Sequence, residues 1–424
     1  MDEEVARILL DPAARIGILN RGEAAQRFLR AVREFNALRG TRLAVAVFYQ
    51  ESEAQAPFVR QADLAVPLGP SAARAYLDRR RMLGLLEDND CTAAWAGWGF
   101  LSEDPALVSL LEKAGIAFLG PPARAMSALG DKIAAKRLAE SSGVPILPWS
   151  RSALQNVGEA REAAAAIGYP CILKAPAAGG GRGIRPVLRE EEMERQFASA
   201  KEEAERVTGD GRLFLERLVR GARHLEVQAM ADRHGRVRTY GVRDCSVQRR
   251  NQKILEETPP PGLEAGVARD MERAAAALLS AASYESAGTV EFLYEAGRFY
   301  FMEVNTRLQV EHPVTEQAYG VDLVQAQLEV ALGEKLPEQA PCRQAFAVEV
   351  RLNAEDPQRD FVPSPGRVLR LRLPAGPGVR VDAGVEEGDL IPPEFDSMIA
   401  KIIVSGRLVA RLTAVLSAQP EDAV

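Results

Sequence analysis

Over about its first hundred residues the chain alternates short apolar runs with amphipathic helical patterns, and no other feature constrains its fold as strongly. RIGILNRGE reads as a strand running into a turn, AAQRFLRAVREFNAL as a helix, and TRLAVAVFYQ and later CTAAWAGWGF as further strands. Strands joined through helices feed a parallel sheet. Gly17 and Gly22 in GILNRGEA fall between a strand and a helix but lack G-x-G-x-x-G spacing, so a tight βα turn explains them as well as nicotinamide binding does.

With 424 residues and 47% apolar content, the chain should divide into two or three domains around packed sheets. Its 53 Lys+Arg against 59 Asp+Glu, a net charge of −6, argue against a general nucleic-acid or anionic-membrane surface, so any phosphate chemistry must be local. Cys91, Cys171, Cys245 and Cys342 lack C-x-x-C spacing and fit reduced thiols, and His224, His234 and His312 are too few and scattered for a zinc site. No apolar run approaches the roughly 20 residues that cross a bilayer, and MDEEVARILL is no secretory signal. A cytoplasmic enzyme is expected.

The pattern suggests four segments: a Rossmann-like unit over 1–118, a helical connection over 119–145 with a helix at 122–142, a small unit over 146–219, and a β-rich remainder over 220–424. The small unit reads helix (VGEAREAAAAIG), strand (PCILKAP), glycine loop, Glu-rich helix and strand (RLFLERLV). In the remainder, LEVQAMAD and VRTYGVRD straddle the turn RHGR, and TVEFLYE-AGR-FYFMEVN reads as a hairpin.

Two features of this layout carry chemistry. The loop Ala178-Gly179-Gly180-Gly181-Arg182-Gly183 follows a strand bearing Lys174, and glycines let several backbone N–H groups converge on an anion. The loop fails the P-loop spacing, yet a lysine inside CILKAP needs an anionic partner if buried. In the hairpin, a three-residue loop Ala296-Gly297-Arg298 places Glu291 opposite Glu303, with Asn305 on the same face. Opposed carboxylates repel, and a divalent cation is the simplest compensation, although an acidic pair on a solvated face is the plainer reading of an isolated hairpin. The next stretch, Asn305 to Pro313, packs cation, amide and carboxylate groups with neither helical nor strand period, as a functional loop would. A second dense cluster runs from Arg243 to Lys253.

GDK at 130–132, KAPAAGGGRGIR, RHLEVQ, RDCSVQRRNQK, EFLYE, EVNTRLQVEHPVTE, VEVRLNAED and FDSMIAKII together resemble the biotin carboxylase family over nearly the whole chain. AWAGWGFLSEDP and FLGPPARAMSALGDK are similar to the biotin carboxylase portion of single-chain multidomain acyl-CoA carboxylases. The resemblance implies an α/β and α+β architecture: an ATP-grasp fold with an N-terminal Rossmann-like domain, a mobile lid and a β-rich C-terminal domain. It also implies an ATP-dependent ligase that makes carboxybiotin from bicarbonate, with biotin presented on a carrier.

The roles it implies are specific. Lys132, Lys174, Gly180 and Gly181 hold ATP phosphates; Glu216, Arg217, Leu218 and Val219 meet the adenine; His224, Gln248 and Asn251 meet the nucleotide. Glu291, Glu303 and Asn305 bind Mg²⁺ or Mn²⁺. Lys253, Arg307, Gln309 and Val310 surround bicarbonate, Glu311 is its base, and Arg351 approaches biotin. Asn251 replaces the family's usual histidine. The short segment after KIIVSG implies either an early end to the carboxylase fold or a portion of a longer polypeptide. There is no A-M-K-M-type biotinylation motif and no carboxyltransferase region, so a carrier and a carboxyltransferase are expected partners, with homo-oligomerisation open. The competing readings are another ATP-grasp ligase, such as a carbamoyl-phosphate synthetase half, and a non-catalytic nucleotide-binding module.

Overall fold

The computed structural model describes residues 9–11, 13–69, 74–177, 183–339 and 341–406. The N-terminal segment builds a five-stranded parallel sheet from β1 (Arg15–Ile18), β2 (Ala44–Tyr49), β3 (Leu64–Pro67), β4 (Ala93–Trp95) and β5 (Ala117–Phe118), in the order β3-β2-β1-β4-β5. The helix Gly22–Arg39 buries Phe28, Leu29, Val32 and Phe35, and ends where Gly40 turns left-handed at φ 68°. The loop after β4 leaves the carboxyl edge of this sheet, the usual side for ligands in open α/β sheets, and carries Trp98 and Glu103 toward the rest of the molecule.

The expected helix over 122–142 is two helices, Ala123–Gly130 and Lys132–Ser141. Asp131 breaks it: its backbone is extended and its Oδ1 accepts the N–H groups of Ile133 (2.9 Å) and Ala134 (3.0 Å), capping the second helix. Beyond it, β6 (Cys171–Lys174), β7 (Ile184–Val187) and β8 (Phe214–Arg217) form a three-stranded antiparallel sheet covered by the helices Val157–Ile167 and Met193–Thr208. These elements share a core of Leu173, Val187, Phe197 and Leu215. Gly180 and Gly181 lie outside the described residues.

An eight-stranded antiparallel sheet holds the remainder. It contains β9 (Arg223–Ala231), β10 (Val237–Arg249), β11 (Gln252–Thr258), β12 (Ser286–Glu295), β13 (Arg298–Asn305) and β14 (Phe346–Asn353), completed by strands Val379–Ala383 and Met398–Gly406. The hairpin differs from expectation in one respect. Its loop has two residues, Ala296 (φ 47°) and Gly297 (φ 80°), so that Glu295 pairs Arg298. A bulge then shifts the register between Phe292 and Glu291, and Glu291 still opposes Glu303.

Segments distant in sequence are tied by buried charge. Glu316 receives Arg27 at 3.0 Å and Arg380 at 2.7 Å, and Asp382 receives Arg380 and Arg30. Burial opposes ionisation of Glu316, but Arg27 and Arg380 outweigh it and hold the carboxyl down to about 2. Because that value lies below the ordinary 4.5, this stabilisation of about 3 kcal/mol is complete above pH 4.5 and is lost as pH falls through about 2. Acid unfolding followed by circular dichroism is expected to steepen across that window, and Glu316→Gln should flatten it. Among the described residues, no helix is long and apolar enough to cross a membrane.

Candidate active site

A cleft of about 590 Å³ opens where the eight-stranded sheet meets the β4 loop and the small three-stranded sheet. Fourteen of the residues singled out in the sequence line it: Lys132, Lys174, His224, Gln248, Asn251, Lys253, Glu291, Glu303, Asn305, Arg307, Gln309, Val310, Glu311 and Arg351. They come from seven separate stretches of chain, at 132, 174, 224, 248–253, 291, 303–311 and 351, which the fold brings together.

Lys253 is the hub. It projects from β11, and its Nζ lies 2.6 Å from Glu226, 3.0 Å from Glu291 and 2.6 Å from Glu311. Burial disfavours its charge, yet the three carboxylates reverse that and push its pKa well above the ordinary value. Burial likewise works against the Glu311 carboxylate, but Lys253 and then Arg351 hold it below the ordinary range. Arg351 reaches Glu311 Oε2 at 3.0 Å while its Nε and Nη2 donate to Glu256 Oε1 at 2.9 and 2.6 Å.

Glu291 sits at the centre of the hairpin face. It accepts from Asn305 Nδ2 (2.8 Å) and Gln309 Nε2 (3.3 Å), and pairs with His224 Nε2 at 3.1 Å. Despite burial, Lys253 and His224 keep its carboxyl strongly depressed. Glu303, opposite, pairs with Lys132 at 2.7 Å. Two carboxylates in register suit Mg²⁺ or Mn²⁺, and Asn305, which here turns Nδ2 to Glu291 and Oδ1 to Arg307 Nη2 at 3.2 Å, would add its amide oxygen on rotating that group. Arg307 is locked from the other side: Glu103 takes its Nε at 2.9 Å and also the Thr306 N–H at 2.9 Å, while Gln309 Oε1 accepts its Nη1 at 2.9 Å.

The strand-borne Lys174 donates to Glu216 at 2.8 Å, and Lys136 donates to the same carboxylate at 2.7 Å. Glu216 is thus a buried acceptor for two lysines. Arg217, Leu218 and Val219 follow it at the end of β8 and do not line the cleft. Asn251 lies in the two-residue turn joining β10 to β11, with φ 64° after Arg250 at φ 52°. Asparagine tolerates that left-handed backbone better than most residues. Asn251→Gly is expected to leave stability within about 0.5 kcal/mol and Asn251→Val to cost about 1–2 kcal/mol, read from urea midpoints.

Several contributors escaped the sequence reading. Glu103, Lys136, Glu226 and Glu256 all hold site residues in place, as does Arg243, which the sequence marks only as the start of the polar cluster ending at Lys253. Arg243 is fully buried, donates to Glu226 at 2.6 Å and also binds Gln228, Thr289 and Thr315. A signal was present for Glu226: it lies between Leu225 and Val227 in a strand buried on both faces, where a charge demands a partner.

A parallel sheet beside an antiparallel sheet, with a small three-stranded unit against a cleft of lysines and paired acids, defines the ATP-grasp class. Residues 12–126 match the biotin carboxylase N-terminal domain, 131–339 the ATP-binding domain described from the carbamoyl-phosphate synthase L chain, and 349–419 the biotin carboxylase C-terminal domain. The chain is 43% identical over 396 residues to a pyruvate carboxylase subunit of Methanothermobacter thermautotrophicus, covering 93% of this chain and 79% of that one. Over 409 residues it is 41% identical to biotin carboxylase 1 of Bacillus subtilis, covering 94% and 90%. It superposes with a TM-score of 0.90 and 39% identity on the biotin carboxylase domain of Hydrogenobacter thermophilus 2-oxoglutarate carboxylase, solved with MgADP, ADP and bicarbonate, covering 95% and 89%. The chain belongs to the biotin carboxylase family.

Proposed function

We propose that this protein carboxylates biotin on a carrier, using ATP and bicarbonate, within an acyl-CoA carboxylase whose carrier and carboxyltransferase lie on other segments or chains. The observation that carries the reading is the Lys253–Glu311–Arg351 arrangement: a buried carboxylate held ionised between two cations at the edge of a cleft lined by further lysines. Bicarbonate is a poor nucleophile and needs a base beside it. An anion entering between Lys253 and Arg351 draws on the charge that now depresses Glu311, which restores basicity where the proton must leave.

Lys132 and Lys174 offset charge on the phosphate oxygens during in-line attack on the γ-phosphate, and a divalent cation held by Glu291, Glu303 and Asn305 would add to that offset. The carboxyphosphate formed breaks down to CO₂ and phosphate. That phosphate takes the ureido proton of biotin, while Arg307, fixed by Glu103, steadies the resulting oxyanion. Closure of the 146–219 unit as a lid would keep water from the labile intermediate. His224, Gln248 and Asn251 in the lining of the cleft, and Glu216, Arg217, Leu218 and Val219 outside it, serve the nucleotide. Gln309 and Val310 flank the bicarbonate.

The test is ADP release with and without bicarbonate and free biotin. Bicarbonate-dependent release accelerated by biotin is expected. Release that biotin leaves unchanged would instead indicate a ligase that activates another carboxylate.

A further inference from the structure

Beneath Arg351 lies a pair of acids that the reaction as described does not use. Glu256 on β11 and Glu349 on β14 are partners across the antiparallel pair, so their side chains share one face, and both are 0% exposed. Glu256 Oε1 accepts one N–H from Nε and one from Nη2 of Arg351, and Glu349 Oε2 accepts the Val314 N–H at 3.1 Å. The other oxygen of each, Glu256 Oε2 and Glu349 Oε1, is buried without a hydrogen-bond partner. Two opposed carboxyls, each with a buried unpartnered oxygen, do not both ionise in a dry site unless a cation lies between them.

The neighbouring cations are already engaged. Arg351 serves Glu256 and Glu311; Lys401, opposite Arg351 on the strand Met398–Gly406, donates to the Val310 carbonyl at 2.9 Å and pairs with Glu23 at 3.2 Å. Lys253 serves Glu226, Glu291 and Glu311. On the helix His312–Tyr319, Val314 contributes its N–H, and Glu316 is taken up by Arg27 and Arg380.

We infer that Glu256 and Glu349 share one proton, with Glu349 as the neutral donor, and that this pair is a positioning unit setting Arg351 against Glu311 for the biotin step. Burial raises both groups, Glu256 to about 7 and Glu349 well above the ordinary range, in keeping with a single negative charge on the pair. That charge matches the one guanidinium above it. A second charge would draw Arg351 down, away from Glu311 and the cleft. The inference rests on biotin carboxylation only for its kinetic consequence, because the proton itself has an independent readout.

That readout is infrared spectroscopy of the whole chain at pH 8. The difference spectrum between wild type and Glu349→Gln should contain a protonated-carboxyl C=O band, and the spectrum against Glu256→Gln should show the band displaced. Absence of the band from both difference spectra overturns the shared proton, whatever the enzyme's activity. Kinetically, Glu349→Leu and Glu256→Gln should each raise KM for free biotin about 10-fold or more with KM for ATP within about twofold, and Glu349→Gln should recover all but about threefold of the Leu loss. KM for ATP rising in step with that for biotin, or no recovery by Gln, would reduce the pair to a structural role. Wild type unresponsive to biotin would instead overturn the proposed function and leave the infrared result standing.

Discussion

Glu311→Gln is expected to lower bicarbonate-dependent ADP release by about 10²–10⁴-fold while nucleotide affinity stays within about threefold, since only the proton acceptor is lost. The geometry makes the expectation specific. Glutamine keeps the length and one acceptor oxygen, so one of Lys253 (2.6 Å) and Arg351 (3.0 Å) retains its partner while the other faces the amide N–H, and the residue cannot take a proton. Isothermal titration with ADP separates binding from turnover. Turnover preserved in the variant would remove Glu311 from the base role and shift attention to Glu226, which shares Lys253.

The second large effect is on stability. Arg243→Met is expected to cost about 3–5 kcal/mol, because it strips the Glu226 carboxylate of its principal counter-charge at a fully buried position. Burial works against the Glu226 charge, and Arg243 followed by Lys253 holds its carboxyl at about 2, so the deficit falls on a group that stays ionised at neutral pH. Urea unfolding monitored by tryptophan fluorescence measures it. The double variant Arg243→Met/Glu226→Gln should recover much of the loss, as the charge left stranded is then gone. A single variant with the wild-type midpoint would mean that Gln228, Thr289 and Thr315 suffice to hold this part of the sheet.

Much of the site was legible because it is local in sequence. The Glu291–Glu303 opposition follows from strand parity around a short turn, and the error in loop length was cancelled by a bulge that no residue pattern announces. The cluster from Asn305 to Glu311 was conspicuous because it fits no period. What stayed hidden is long-range. Glu103 meets Arg307 across 204 positions, and from its sequence context SEDP it reads as an ordinary polar turn. Lys136 lies on a helix whose pattern suggests a solvated charge, yet the β8 strand brings Glu216 over it. The break at Asp131 was visible in principle, as an N-cap residue following glycine, but helical periodicity on both sides concealed it.

The pairing of Lys132 with Glu303 has a consequence for ligand order. Each of these groups occupies the other, so each competes with any ligand the other takes. An anion that draws Lys132 away liberates a carboxylate, and a cation that captures Glu303 liberates an ammonium. Linkage makes that exchange reciprocal: the two ligands would reinforce one another by the same factor, even without touching. Part of the cooperativity between nucleotide and metal would then be written into the ligand-free protein, as an internal ion pair waiting to be divided between two guests.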